Sequence, residues 1–218
     1  MSARAYFDAV MPRLDWLGRE QLPAIEQAGV LVADAIGGGH RVWVAKTTHC
    51  LHDEVTYRAG GLMAIHALDD PIVVEAGDVV LIGTNAGTTT LTVETALTAH
   101  ERGASVVVLT QMAYEADPRV IPEHPSGTRL HEHADVLIDL GGQVGDGELA
   151  MADGMRIMPG SGVATLLAAW MILAEAIDRL GKAGKTPLMW ESMQLTGAMT
   201  GNLERRRAYH RTGKGFVG

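Results

Sequence analysis

The chain has 218 residues, a formal net charge of -8 at pH 7, and 47% hydrophobic but only 5% aromatic side chains. That length and apolar content exclude a disordered chain and allow one sizeable core. The acidic balance argues against a nonspecific nucleic-acid binder, and the lone cysteine, Cys50, rules out an intrachain disulfide and predicts a reducing compartment.

Residues 4–36 carry apolar side chains at helical spacing (Phe7, Val10, Met11, Leu14, Leu17, then Ile25, Ala28, Val32), with a break expected near Gly18 or Pro23. This amphipathic start lacks the continuous apolar stretch of a secretory signal. Gly37-Gly38-Gly39 reads as a helix stop, because it precedes a strand where a nucleotide loop would follow one. Residues 41–45 form a short strand, 50–59 a helix ended by Gly60-Gly61, 78–83 a second strand and 91–102 a helix. A third strand spans 105–109 and ends at Thr110. Residues 118–128 are loop, 129–133 a short helix and 134–140 a fourth strand. Residues 148–158 read as one or two short edge strands broken at Asp153-Gly154, 161–180 as a long apolar helix, 181–187 as a linker, and 190–211 as an Arg-rich helical tail. The longest apolar run, 163–174, is too short to cross a bilayer, so a cytoplasmic protein without membrane partners is expected.

Apolar strands alternating with helices predict an α/β fold with a parallel sheet, whose ligands sit beyond the carboxyl ends of the strands. Three such ends are rich in polar side chains: Lys46-Thr47-Thr48-His49, Thr84-Asn85-Ala86-Gly87-Thr88-Thr89 and Thr110-Gln111. The second runs straight into a helix, so hydroxyl and amide donors accompany free backbone N–H groups and the positive end of a helix dipole. This pattern suits a phosphate or another compact anion; ordinary threonine capping is the competing reading. Neither a P-loop nor a GxGxxG sequence follows a strand, so a nucleotide loop is not supported.

The sequence His49-Cys50-Leu51-His52-Asp53-Glu54 offers two more alternatives. His49 and His52 at i, i+3, with a carboxylate beside them, are weak candidates for a zinc site; ordinary first-turn capping and dipole interactions explain the same residues. Glu54 is a candidate base or the partner of Arg58 at i+4. His124, in Glu123-His124-Pro125-Ser126-Gly127, is either part of a lid or a surface histidine, and His131 and His133 are expected at the surface. Cys50 reads as a helix thiol without a catalytic motif.

Four stretches, DEVTYRAGGL (53–62), EAGDVVLIGTNAGTTT (75–90), ALTAHERGASVVVLT (96–110) and EHPSGTRLHEHADVLID (123–139), resemble sugar isomerase (SIS) domain proteins, most of all an uncharacterised bacterial subfamily of them. Order and spacing hold over about residues 4–210. The resemblance implies a three-layer α/β sandwich around a mostly parallel five-stranded sheet. It implies one domain, 1–218, with a helical segment 4–36 and a helical tail 190–211. It also implies a homodimer or homotetramer with a phosphosugar ligand and no nucleic acid or obligatory cofactor. It places Thr84, Asn85, Gly87, Thr88 and Thr89 on the phosphate loop, Thr48 and His49 on a serine and a histidine of the first loop, and Glu54 on a glutamate that serves as base in related heptose phosphate isomerases. Ser126 and Thr110 are further ligand candidates. The first loop departs from the subfamily's GTGHSH: its glycines are gone and Lys46 brings a cation. Ala86 replaces a serine, and a segment is missing between 62 and 75. On this basis the expected activity is aldose–ketose isomerisation through an enediolate. Glu54 is then the base and His49 or His124 the acid or electrophile; a phosphosugar sensor, or a lyase or etherase, is the alternative.

Overall fold

The computed structural model describes residues 2–47 and 51–218. Helix α1 (Ala3–Glu20) and α2 (Leu22–Gly38) split at Gln21, between the two expected break points, and Pro23 sits in the first turn of α2, where a missing N–H costs nothing. The chain then runs through β1 (Val42–Ala45), α3 (Leu51–Val55), β2 (Ile65–Leu68), β3 (Val79–Gly83), α4 (Thr90–Glu101), β4 (Ser105–Thr110) and β5 (Val136–Asp139). It ends with β6 (Leu149–Ala150), β7 (Arg156–Ile157), α5 (Ser161–Lys182), β8 (Thr186–Pro187), α6 (Ala198–Thr212) and β9 (Phe216–Val217).

The five long strands make one wholly parallel sheet in the order β2-β1-β3-β4-β5. Their near-continuous apolar character follows from burial on both faces. Alternate residues separate into two cores. Val42, Val44, Leu81, Leu109 and Ile138 pack with α2, α3 and α5, while Val80, Ile82, Val106 and Val108 pack with Ala96 and Ala99 of α4 and with Leu130. The result is the expected three-layer α/β arrangement. Helices α2 and α5 touch closely because Gly29 leaves room: a Cβ there would stand 2.5 Å from Cγ of Glu175.

Several elements differ from the sequence reading. The fifth strand, β2, was not placed by the sequence pattern; its four residues include the polar His66 and lie at the sheet edge. The helix expected over 50–59 is confined, among the described residues, to Leu51–Val55. Tyr57 adopts φ 56° and Gly60 N–H bonds to the Trp190 carbonyl, so the chain is drawn away from the helix axis. The short helix expected over 129–133 is a tight 3-10 turn, Leu130–His133, with Arg129 at its N-cap. Segments β6 and β7 pair only with each other, as an antiparallel hairpin off the main sheet. The expected linker 181–187 holds the last two residues of α5 and β8, which pairs with β9, and the tail is helical only from Ala198. Residues 4–36 dock on the sheet of their own chain, with Leu17, Ile25, Val32 and Ile36 in the core. Among the described residues no helix is long and apolar enough to cross a membrane.

Candidate functional site

In the order 2-1-3-4-5 the chain leaves β1 toward one edge and β3 toward the other, so a crevice opens where the loops after β1 and β3 part. The three polar strand ends read from the sequence belong to β1, β3 and β4, which are neighbours. Tertiary pairing therefore gathers them at one place.

The first loop is tied across the crevice by Thr47, whose hydroxyl donates to the Gly83 carbonyl at 2.8 Å. Lys46 points outward to Asp69 beyond β2, at 2.5 Å, so its charge is shared with a carboxylate. Thr48 and His49 lie outside the described residues, as does Cys50.

The second loop is held from within. Thr84 is buried, and its hydroxyl accepts the Gly87 N–H at 3.4 Å. Gly87 stands at φ 61°, where a Cβ would come within 3.1 Å of Leu130, so both conformation and space require glycine. Leu130 N–H donates to the Gly87 carbonyl and Glu123 N–H to the Thr88 carbonyl, each at 2.8 Å. Thr89 occupies the N-cap of α4, but its side chain makes no capping bond to the first turn. Its hydroxyl meets that of Thr92 at 3.0 Å instead. The first turn of α4, with its backbone amides and positive dipole end, thus starts at the carboxyl edge of the sheet without a cap from Thr89.

Asn85 and Thr110 do more building than reaching. The Thr110 hydroxyl donates to the Asn85 carbonyl at 3.0 Å. The Asn85 side chain accepts from Gln111 Nε2 at 2.9 Å and donates to Asp146 at 3.1 Å. Asp146 also accepts from Gln111 Nε2 at 3.2 Å and from the fully buried Ser161 hydroxyl at 2.6 Å. One carboxylate thus joins the ends of β3 and β4 to the start of α5. Beside it, Arg13 of α1 pairs with Glu148 at 2.6 Å and donates to the Leu140 carbonyl at 2.9 Å, both side chains being about nine-tenths buried. Gly145 N–H donates to the Tyr114 hydroxyl at 3.0 Å, and burial raises that phenol above its ordinary pKa. Sequence reasoning missed Asp146, Ser161, Arg13 and Glu148. The one available signal was an acid set between glycines, Gly145-Asp146-Gly147, in the loop after β5.

Glu54 pairs with Arg58 at 3.2 Å, the alternative that its i+4 spacing allowed. His124 is buried rather than superficial. The Ser126 backbone N–H donates to its Nδ1 at 3.3 Å, and its Nε2–H donates to Glu94 of α4 at 2.8 Å. The exposed Ser126 hydroxyl lies 2.7 Å from the same Nδ1. His124 therefore pins the 118–128 loop to α4 beside the anion loop. His131 and His133, expected at the surface, are half-buried; His131 reaches Glu115 at 3.5 Å and His133 reaches Thr128 at 2.8 Å. His52 contacts Asp53 at 3.2 Å. Among the described residues no group of three or more histidine, cysteine or acidic side chains is placed to hold a metal ion.

No family model matches the chain. Its sequence is 30% identical over 228 residues to a UPF0309 protein of Streptomyces griseus, covering 89% of this chain and 90% of that one. It is 28% identical to the UPF0309 protein of Listeria innocua, covering 88% and 90%. Among solved structures, a phosphoheptose isomerase from Francisella tularensis superposes with a TM-score of 0.58 at 15% identity, over 82% of this chain and all of that one. A Methanococcus jannaschii protein, whose structure was used to infer 3-hexulose-6-phosphate isomerase function, gives 0.55 at 12% identity over 91% and 96%. At these identities the two structures share the fold with this chain.

Proposed function

This chain belongs to the UPF0309 family, and from the crevice it builds on a sugar-isomerase-type sheet we propose that it binds a phosphosugar and interconverts its aldose and ketose forms. The observation that carries the reading is the meeting of the β1, β3 and β4 loops at the strand-order switch, beside an α4 N-terminus that its N-cap residue Thr89 leaves uncapped. In an acidic protein, backbone amides and threonine hydroxyls at such a point supply the donors a phosphate needs. Thr88, Thr89 and the first-turn amides of α4 would grip the ester. Thr84, Asn85, Gly87 and Thr110 would keep the loop in shape, and Thr47 would hold the first loop against it.

Isomerisation moves a proton from the carbon beside the carbonyl through a cis-enediolate, which takes a base, an acid for the oxygen and a fixed phosphate. Glu54 is the proposed base. Arg58 at 3.2 Å must turn aside, or follow the carboxylate, when substrate enters. His49 is the proposed acid, because both nitrogens of His124 are engaged by Glu94 and Ser126. The test is a thermal-shift screen of aldose and ketose phosphates, followed by product analysis. Glu54→Gln is expected to retain binding and lose at least about a hundredfold in turnover. Undiminished turnover removes Glu54 from the mechanism.

The engagement of Glu54 by Arg58 favours a second reading, a binding protein without turnover. A sugar phosphate that stabilises the protein and is recovered unchanged, with no solvent deuterium at C1 or C2, would select it.

A further inference from the structure

Helix α6 lies along the side of the molecule that carries the β2 edge, yet only Ala198 and Asn202 of its fifteen residues are buried. It is moored rather than packed. The Asn202 amide exchanges hydrogen bonds with the Glu191 backbone at 2.8 and 2.9 Å, and Tyr209 hydrogen-bonds His66 at 2.7 Å. Beneath it runs a groove of three confluent cavities. The upper chamber, about 270 Å³, and the narrow neck, about 90 Å³, share Tyr57, Trp190 and Arg206. The lower chamber, about 330 Å³, shares His66, Tyr209 and His210 with the neck.

The lower chamber is internally balanced. Asp78 accepts from the Arg41 N–H, the Trp43 indole and the Glu75 N–H, and Arg41 reaches Glu75 at 3.4 Å. The upper chamber holds one ion pair, Glu191 with Arg205 at 2.8 Å. Met193, Met199 and Leu203 line it and stand about half exposed. The Tyr57 and Trp190 rings meet there at 5.7 Å and 58°. The Trp190 indole N–H is buried and has no acceptor among the described residues, although buried indoles normally find one. Arg206, on the same wall, donates only to the His210 ring, at 3.3 Å, and pairs with no carboxylate among the described residues. Tyr57 is held at φ 56°, a conformation that non-glycine residues adopt against steric resistance, and it sits at the lip 65% exposed.

We propose that the upper chamber and neck form a second ligand site, separate from the strand-end crevice, for a small aromatic anion. An aromatic ring fits against Trp190, Tyr57 and the adaptable methionines. The anionic oxygen pairs with the Arg206 guanidinium, the carboxylate of Glu191 on the same lining being held by Arg205 at 2.8 Å.

The test uses the full chain with 13C-methyl methionine, titrated with 3-phenylpropanoate and with its uncharged amide. The Met193 and Met199 methyl signals are expected to shift saturably with the acid, and the amide to bind about fivefold more weakly or worse. Arg206→Met should abolish the difference between acid and amide. Trp190→Ala, which removes the ring face, should weaken acid and amide alike, by about tenfold. Inorganic phosphate should leave both methyls unmoved; if it shifts them, the chamber is part of the anion crevice and no separate site exists. Absence of a saturable shift up to about 20 mM, equal affinity for acid and amide, or an unaltered Arg206→Met would each overturn the proposal.

Discussion

Replacing Asp146 with Asn tests whether one carboxylate organises the carboxyl edge of the sheet. The substitution keeps shape, and Asn tolerates the left-handed backbone (φ 49°) that Asp146 adopts. Oδ1 accepts from Gln111, while Oδ2 accepts from Asn85 and Ser161. The new NH2 group must face one of these two sets of donors. The cheaper choice faces Gln111, which loses one bond to a charged acceptor, about 1.5–3 kcal/mol, and weakens two more from charge-assisted to neutral. A flip of Gln111 recovers little, because its amide would then release Asn85 and turn its NH2 toward Arg13, whose Nη2 lies beside the Gln111 oxygen around Gly142. A loss of about 2–3 kcal/mol follows, or a fall in Tm of roughly 4–12 °C for a chain of this size. Urea unfolding should show a lower midpoint at unchanged slope. A loss below about 0.5 kcal/mol would mean that the three donors find water as readily as Asp146, and the reasoning would fail.

Gly87→Ala forces a Cβ into the left-handed region and against Leu130; a stability loss of about 1–2 kcal/mol, with weaker anion binding by calorimetry, is expected. Arg13→Met strands a buried Glu148 carboxylate and should cost about 3–5 kcal/mol in denaturant titrations, most of which Arg13→Met combined with Glu148→Met restores. Burial, with Arg41 nearby, lowers the His66 pKa below 6.5. The unfolded chain then binds the proton first, so this contribution to stability is complete above about pH 6.5 and lost as pH falls below it. His66→Gln should flatten the unfolding midpoint over that acid interval, and an unchanged slope would count against the assignment.

The parts of the site that were legible in the sequence are those encoded by neighbours in the chain. The run from Val79 to Thr90 announces a buried strand, a polar turn and a helix start because strand burial and helix entry are local patterns. The stop at Gly39, which adopts φ 84°, is local in the same way. The β2 strand was illegible because four edge residues with a histidine among them carry no period long enough to read. The burial of His124 was equally hidden, since its partner Glu94 lies thirty residues away.

By itself, then, the sequence determined the α/β class, the run of parallel strands and the identity of the three polar strand ends. Only the tertiary structure decided that those ends are neighbours, that Lys46 faces Asp69 and Glu54 faces Arg58, and that Asp146 fastens Asn85, Gln111 and Ser161 together. Secondary structure is set by interactions a few residues apart. The partner of a polar side chain at the end of a strand is set by which strands pair and which loops cross, and Arg13 finds Glu148 across 135 residues of chain.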